Sequence, residues 1–433
     1  MIHSNITVSD DGHLCFAGRD TVQLAEKYGT PLMLIDEDRV RERASTYVAA
    51  MREYFGEGSA PLYASKALSC VAMYKIVGSE GMSVDVVSSG ELYTALKAGF
   101  PAERIYFHGN NKTADDVRYG LDSRIGYFVA DNLDEVERIS VMAGERGMTQ
   151  PILLRLTPGI DPHTNEKIST GKVDSKFGTA IETGQAEQLI ARVLTMPGIK
   201  LCGFHCHVGS QVFDQYPFCD AADIMIDFMA HIEQSLGYRA EILNLGGGFG
   251  VRYVDSDPYI DIRDTIRLIA EHINNRCAEH GMPVPRILME PGRSIVADSG
   301  MTVYTVGSVK TITGYKSYVA IDGGMTDNPR YTLYGSKYTV YNASRADAPA
   351  DFKCTVAGRC CESGDLIAEG VSVARPQSGD KLAVAVTGAY NYSMASNYNR
   401  VPRPPIVALR GGADRVIVRR ETYADMIACD IDE

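Results

Sequence analysis

This chain of 433 residues has no apolar run near the roughly 20 residues needed to cross a bilayer. It has no excess of positive charge. Its 43 Lys and Arg stand against 55 Asp and Glu, a net −12, which argues against a nucleic-acid or anionic-membrane partner. Its ten cysteines are dilute and form no disulfide-framework pattern. Internal repeats and low-complexity tracts are missing too. The first residues, MIHSNITVSDDG, carry neither a basic n-region nor an apolar h-region, so no signal peptide is expected and a cytoplasmic location is the default. Two common nucleotide motifs also fail. The run Leu245-Gly246-Gly247-Gly248-Phe249-Gly250 does not complete a dinucleotide fingerprint, because Val251 stands where a glycine is required. The one Gly-Lys pair, Gly171-Lys172, is followed by Val173 where a P-loop needs Ser or Thr.

What is present reads as a soluble globular protein of two domains, with 45% hydrophobic and 23% charged residues. Eight short apolar runs cover 61–67, 82–88, 104–109, 124–131, 151–159, 199–209, 241–247 and 286–292. Amphipathic segments such as 89–98, 132–147, 181–194 and 217–236 lie between most of them. This alternation predicts a (β/α)8 TIM-type barrel over 36–297, with an open doubly wound sheet as the alternative. Beyond about residue 298 strand-like runs dominate, which predicts a C-terminal β-sandwich or β-barrel domain over 298–433. The first 20 residues read as a hairpin turning at Asp11-Gly12. Residues 1–35 are expected to join the β domain.

A barrel of this kind places its chemistry at the C-terminal ends of the strands and binds phosphate after strands seven and eight. Lys66 then closes strand one, Asp85 and Ser88 strand two, and His207 strand six. Gly246–Gly250 closes strand seven and Glu290–Arg293 strand eight. The polar stretch 158–178 after strand five reads as a lid, or else as a surface insertion. Cys202, His205, Cys206 and His207 resemble a metal-ligand cluster. In a regular strand, however, 205 and 207 point one way and 202 and 206 the other, so the four do not converge and no metal is expected.

A lysine, a histidine, a carboxylate and a phosphate cradle at one barrel mouth suggest pyridoxal 5′-phosphate. Its aldehyde needs an amine, its phosphate a cradle, and its pyridine nitrogen a partner that sets its charge. Lys66 is the candidate amine. It follows an apolar run, where desolvation would lower its pKa; the alternative is a lysine reaching solvent. Glu290 is the candidate partner of the pyridine nitrogen, or else a strand-end glutamate paired with an arginine. His207 can lay a flat ring against the cofactor. Ser210, Gly247, Gly248, Gly292 and Arg293 can reach the phosphate through hydroxyl, backbone N–H and guanidinium groups.

The segments YASKA (63–67), HVGS (207–210), GGGFG (246–250), EPGRS (290–294), CESGD (361–365) and GAY (388–390), in this order, resemble the fold-type III pyridoxal-phosphate decarboxylases. Within them the chain looks most like the branch that decarboxylates diaminopimelate to lysine. The likeness runs from YGTPLMLID (28–36) to NYN (397–399). It implies that Lys66 carries the cofactor, His207 stacks on it, Glu290 meets its nitrogen, and the glycines of 246–248 with Gly292-Arg293 hold its phosphate. It implies that Tyr390 touches both cofactor and substrate, and it sets Arg293 among the substrate contacts as well. It also implies a homodimer with composite sites, in which Cys361 and Glu362 come from the second subunit. Cys361 or Lys66 would be the general acid. Arg330 with Tyr334 would take the carboxylate at the remote end of the substrate, and Glu362 the ammonium. A site for ornithine holds only an ammonium there, and an arginine would repel it. Other amino acids (D-lysine, D-ornithine, carboxynorspermidine, L-ornithine or L-arginine) and a non-catalytic regulator of the same fold are the alternatives. The retained Lys66, Cys361 and Arg293 oppose the regulator. Tyr331, Asn165 and the Arg359-Cys360 pair depart from the family's commoner pattern.

Overall fold

Each of the eight apolar runs coincides to within a residue at its start with, or encloses, a parallel strand: β1 Ala60–Ala64, β2 Ser83–Val86, β3 Ile105–Phe107, β4 Tyr127–Ala130, β5 Gln150–Thr157, β6 Ile199–His205, β7 Ile242–Asn244 and β8 Arg286–Met289. Each pairs with the next, and β8 pairs back onto β1 with Leu288 opposite Ala60. The sheet is therefore a closed barrel, and the open doubly wound alternative falls. The computed structural model describes residues 1–160 and 175–431. They divide into two compact units, one of Arg41–Gly250 with Tyr259–Ser294, the other of Met1–Val40, Val251–Pro258 and Ile295–Glu433.

The barrel helices start where local chemistry satisfies their first N–H groups. Ser88, Asn132 and Asp261 each accept from a backbone N–H three residues on, and Thr113 with Asp116 forms a reciprocal capping box. Ser88, expected at the strand end as part of the site, thus serves as a helix cap. The helix Gln185–Val193 buries Ala186, Leu189, Ile190 and Val193, one face at helical spacing.

Inside the barrel, alternation along the strands sorts residues into layers. Leu62, Tyr106, Val129, Leu153, Cys202, Ile242 and Leu288 form one apolar cluster. Two residues further along their strands stand His108, Asp131, Arg155, Asn244 and Glu290, a polar layer toward the C-terminal ends. Strand β6 breaks the count. Its pairing with β5 shifts register between Leu201 and Gly203, a bulge that lets Cys202 and His205, three residues apart, share a side. A Cβ on Gly203 would lie 1.9 Å from the Ile242 carbonyl oxygen, so only glycine permits this approach. The plain alternation expected for residues 202–207 is corrected accordingly: Cys202 belongs to the apolar layer, one layer away from His205.

In the second unit, Ile6–Val8 pairs antiparallel with Leu14–Phe16, with Gly12 at φ 78° in the turn. The main sheet is mixed. Its spine is the strand Gly300–Ile312. One half of the spine pairs with Leu32–Asp36 and Lys381–Ala385, the other with Lys316–Ile321. Phe352–Ala357, Leu366–Val373, Ile406–Arg410 and Ala413–Val418 extend the sheet outward, and Val340–Asn342 pairs with Lys381–Ala385. Among the described residues no helix is long and apolar enough to cross a membrane.

Candidate active site

Glu290 follows β8 and is buried. Its Oε1 accepts from Asn244 Nδ2 at 2.7 Å and lies 2.9 Å from His108 Nε2, while Oε2 faces His205 Nε2 at 3.2 Å. Burial alone would raise its pKa. The contacts with His108 and His205 overcome that and hold it well below the usual carboxylate range. His205, buried beside it, is pushed down to about 4 by desolvation, so it is a neutral N–H donor near neutral pH. Among the described residues, His108, His205 and Glu290 are the one group whose donor atoms cluster as metal ligands do. The His205–Glu290 separation of 3.2 Å is that of a hydrogen bond, while the His108 contact at 2.9 Å is electrostatic.

Lys66 lies in the 3-10 turn Ser65–Ala67 directly after β1, with Ser65 and Ala67 buried and Lys66 itself exposed. The desolvation expected of this lysine is therefore corrected; its surroundings are charges. The Lys66 ammonium acts on Asp85, Glu91 and His207. Glu91 accepts from Ser65 Oγ at 2.9 Å and from the Val87 N–H at 2.8 Å, which steadies the turn. Asp85, at the end of β2, is pushed up to about 7 by desolvation, with His108 opposing.

His207 Nδ1 accepts from the Gly247 N–H at 3.2 Å, so the neutral ring carries its proton on Nε2. Burial, then the Lys66 charge, holds its pKa well below 6.5. The glycine run packs backbone on backbone. A Cβ on Gly247 would lie 2.0 Å from the Glu290 carbonyl oxygen, and one on Gly248 2.3 Å from that of Gly209. Gly292 packs against the end of β1, where a Cβ would sit 2.9 Å from Ala64 Cβ. Next to it, buried Arg293 donates to Ser210 Oγ from Nε at 3.3 Å and Nη2 at 2.9 Å.

The structure thus gathers Lys66, His207, Ser210, Gly247, Gly248, Glu290, Gly292 and Arg293 at one end of the barrel. It adds His108, Asn244, Asp131 and Arg155, which the sequence reading passed over, and His205, which it had weighed only as a metal ligand. Asp131 Oδ1 accepts from the Gly178 N–H at 3.0 Å, and the Arg155 guanidinium lies 4.3 Å over the Phe177 ring. Most of the stretch 158–178, including Asn165, lies outside the described residues.

The remaining expected residues lie in the β unit. Arg330 opens the helix Arg330–Tyr334 and is buried. Its guanidinium lies 5.0 Å from the Tyr334 ring centre and 5.4 Å from that of Tyr390. Its Nη2 reaches Ser336 Oγ at 3.5 Å, and its Nε is buried with no hydrogen-bond partner among the described residues. Tyr390 has φ 62°, a conformation rare for a side chain of that size. Cys361 and Glu362 are exposed; the Cys361 N–H donates to Asn399 Oδ1 at 2.7 Å, and Glu362 Oε1 accepts from the Gly364 N–H at 3.2 Å. Buried Asp365 anchors this loop by accepting from the backbone N–H groups of Met325 and Cys360.

The family described as pyridoxal-dependent decarboxylase, pyridoxal binding domain, matches residues 37–297. The chain is 45% identical over 431 residues to the diaminopimelate decarboxylase of Bacillus subtilis (strain 168), spanning 100% of this chain and 98% of that protein. It is 41% identical to that of Staphylococcus aureus (strain COL), over 98% of this chain and 99% of that one. Among solved structures, the diaminopimelate decarboxylase of M. jannaschii in co-complex with L-lysine matches with a TM-score of 0.91 at 34% identity, covering 99% of this chain and 98% of that one. The Helicobacter pylori enzyme complexed with L-lysine gives 0.85 at 30% identity, over 94% and 98%. The chain belongs to the pyridoxal-phosphate-dependent decarboxylases, within the diaminopimelate decarboxylase family.

Proposed function

We propose that this chain decarboxylates meso-2,6-diaminopimelate to L-lysine and CO2, the last step of lysine synthesis. The observation that carries the substrate assignment is Arg330. It is a buried guanidinium between two tyrosine rings, with Nε unpaired, and it forms no ion pair among the described residues. An unpaired buried cation is costly, and a substrate carboxylate would relieve it. The test is CO2 release from meso-diaminopimelate, L-ornithine, D-lysine and L-arginine. A preference for any of the last three would sink the assignment.

The donor set fits pyridoxal phosphate. An exposed amine (Lys66) suits its aldehyde, a guanidinium and a hydroxyl (Arg293, Ser210) suit its phosphate, a neutral ring (His207) suits its face, and an ionised carboxylate (Glu290) suits its pyridinium. When bound, it supplies the electron sink for the carbon that loses CO2. The protein's own groups do the rest. Lys66 would hold the cofactor through Nζ, and the same atom would carry a proton when free of it. Glu290 would face the ring nitrogen and keep it protonated. Arg330 and Tyr334 bind the remote carboxylate and Glu362 the remote ammonium, while Tyr390 positions both partners. The Cys361 thiol gives the proton that replaces CO2, with Lys66 as the rival donor.

The proposal includes a cytoplasmic homodimer in which Cys361 and Glu362 act in the partner's site. Their exposure on a loop held in place by Asp365 and Asn399 supports this. Mixing a Lys66→Ala protein with a Cys361→Ala protein should restore part of the activity through hybrid dimers. No rescue, with subunit exchange demonstrated, would mean that each site is built from one chain.

A further inference from the structure

We propose that His108 and His205 are positioning residues for Glu290: Asn244 and His205 hydrogen-bond one carboxylate oxygen each, His108 closes on Oε1 through charge and dipole, and an acceptor site on Oε2 is left for the cofactor's pyridine nitrogen. The inference rests on the cofactor site proposed above and assigns roles to residues that its motifs do not contain.

A carboxylate accepts about four hydrogen bonds, two on each oxygen. Oε1 of Glu290 is met by Asn244 Nδ2 at 2.7 Å and His108 Nε2 at 2.9 Å, and Oε2 by His205 Nε2 at 3.2 Å. One site on Oε2 remains. The His108 contact is close in distance but lies off the line of a straight hydrogen bond, so it acts chiefly through charge and dipole. The two imidazoles meet edge to face, with ring centres 4.9 Å apart at 73°, so each limits the other's rotation. Asn244 is fixed in turn, since its Oδ1 accepts from the Gly246 N–H at 2.9 Å and this leaves the amide nitrogen to face Glu290. All four side chains are buried.

Chemistry explains why these donors matter. A pyridinium next to a carboxylate can pass its proton across, and the proton stays on nitrogen only if the carboxylate is the weaker base. Donors on the carboxylate weaken it as a base. Other charges share the neighbourhood, for Glu290 acts on Asp85, Arg155, Cys206 and His207. His205 serves as a donor only while its Nε2 is protonated, and its Nδ1, buried without a partner, is then the bare nitrogen.

The test uses holoenzyme loaded with pyridoxal phosphate carrying 15N at the ring nitrogen, whose chemical shift reads protonation directly. Wild type should show a protonated nitrogen. His205→Leu and His108→Leu should each move the signal toward the unprotonated value, a loss of proton affinity of about tenfold per donor. His205→Gln and His108→Gln, which restore an N–H donor, should move it less than the Leu variants. Should His205→Leu fail to fold, His108→Leu and Asn244→Leu carry the same expectation. Unchanged 15N shifts in folded Leu variants that retain the visible band of lysine-bound cofactor would overturn the inference and leave the function intact. Absence of that band in wild type, or its persistence in Lys66→Ala, would instead overturn the cofactor site on which the inference stands.

Discussion

Arg293 aims two nitrogens, Nε at 3.3 Å and Nη2 at 2.9 Å, at the single hydroxyl oxygen of Ser210. The serine comes from the segment after β6 and the arginine from the segment after β8, so one contact ties both to a common geometry before any phosphate arrives. A preset guanidinium loses less entropy on binding than a free one. Replacing Ser210 by Ala should raise the dissociation constant for pyridoxal phosphate by roughly fivefold. Titration of the visible band should show this, with the band unchanged at saturation.

Gly247 has its own consequence. A Cβ there would meet the Glu290 carbonyl oxygen at 2.0 Å, and backbone cannot yield as a flexible side chain can. Gly247→Ala should destabilise the cofactor-free protein by about 2 kcal/mol or more. Urea unfolding is the measurement. A wild-type midpoint would mean that the run is there for a ligand alone.

Asp85 gives a pH signature. Burial raises its pKa from 3.8 to about 7, so the folded chain keeps a proton that the unfolded chain releases. The stability contributed is fully present below the ordinary value and is lost as pH rises toward and past about 7. Asp85→Asn cannot ionise and escapes this loss. Relative to wild type, the cofactor-free variant should therefore gain stability between about pH 5 and about pH 8, by at least about 1 kcal/mol. A difference independent of pH would show that Asp85 is ionised throughout.

Arg330 distinguishes a remote contact from a reacting one. L-lysine keeps the carboxylate and ammonium of the end that does not react, so it should use the same anchor as meso-diaminopimelate. Arg330→Leu should weaken inhibition by L-lysine and raise KM for meso-diaminopimelate by similar factors, each about tenfold or more. If only kcat falls, the guanidinium acts at the reacting centre.

The eight barrel strands were legible because each is an apolar run ended by turn residues, as a strand buried on both faces must be. The motifs around Lys66, His207, Gly246 and Glu290 were legible because several scarce residue types cluster in each. His108 and Asn244 passed unnoticed because each is a single polar residue at the end of an apolar run. Their signal was the period of two: Tyr106 to His108 and Ile242 to Asn244 repeat the step from Leu288 to Glu290. Lys66 was read as desolvated from its neighbours in sequence, but the turn at 65–67 buries those neighbours and turns the lysine out. Two β-unit strands are weakly marked in the sequence for local reasons. Leu366–Val373 is interrupted by exposed Glu369 and Gly370, and Ile406–Arg410 follows Pro402, Pro404 and Pro405.

The extra residue in β6 sets the parity of everything after it. Up to Leu201 the strand keeps step with β5, and from Gly203 on it is out of phase by one. His205 faces Glu290, just past β8, only because of that slip. The proton economy at the barrel mouth is therefore written partly in the wall, by a residue that touches neither cofactor nor substrate.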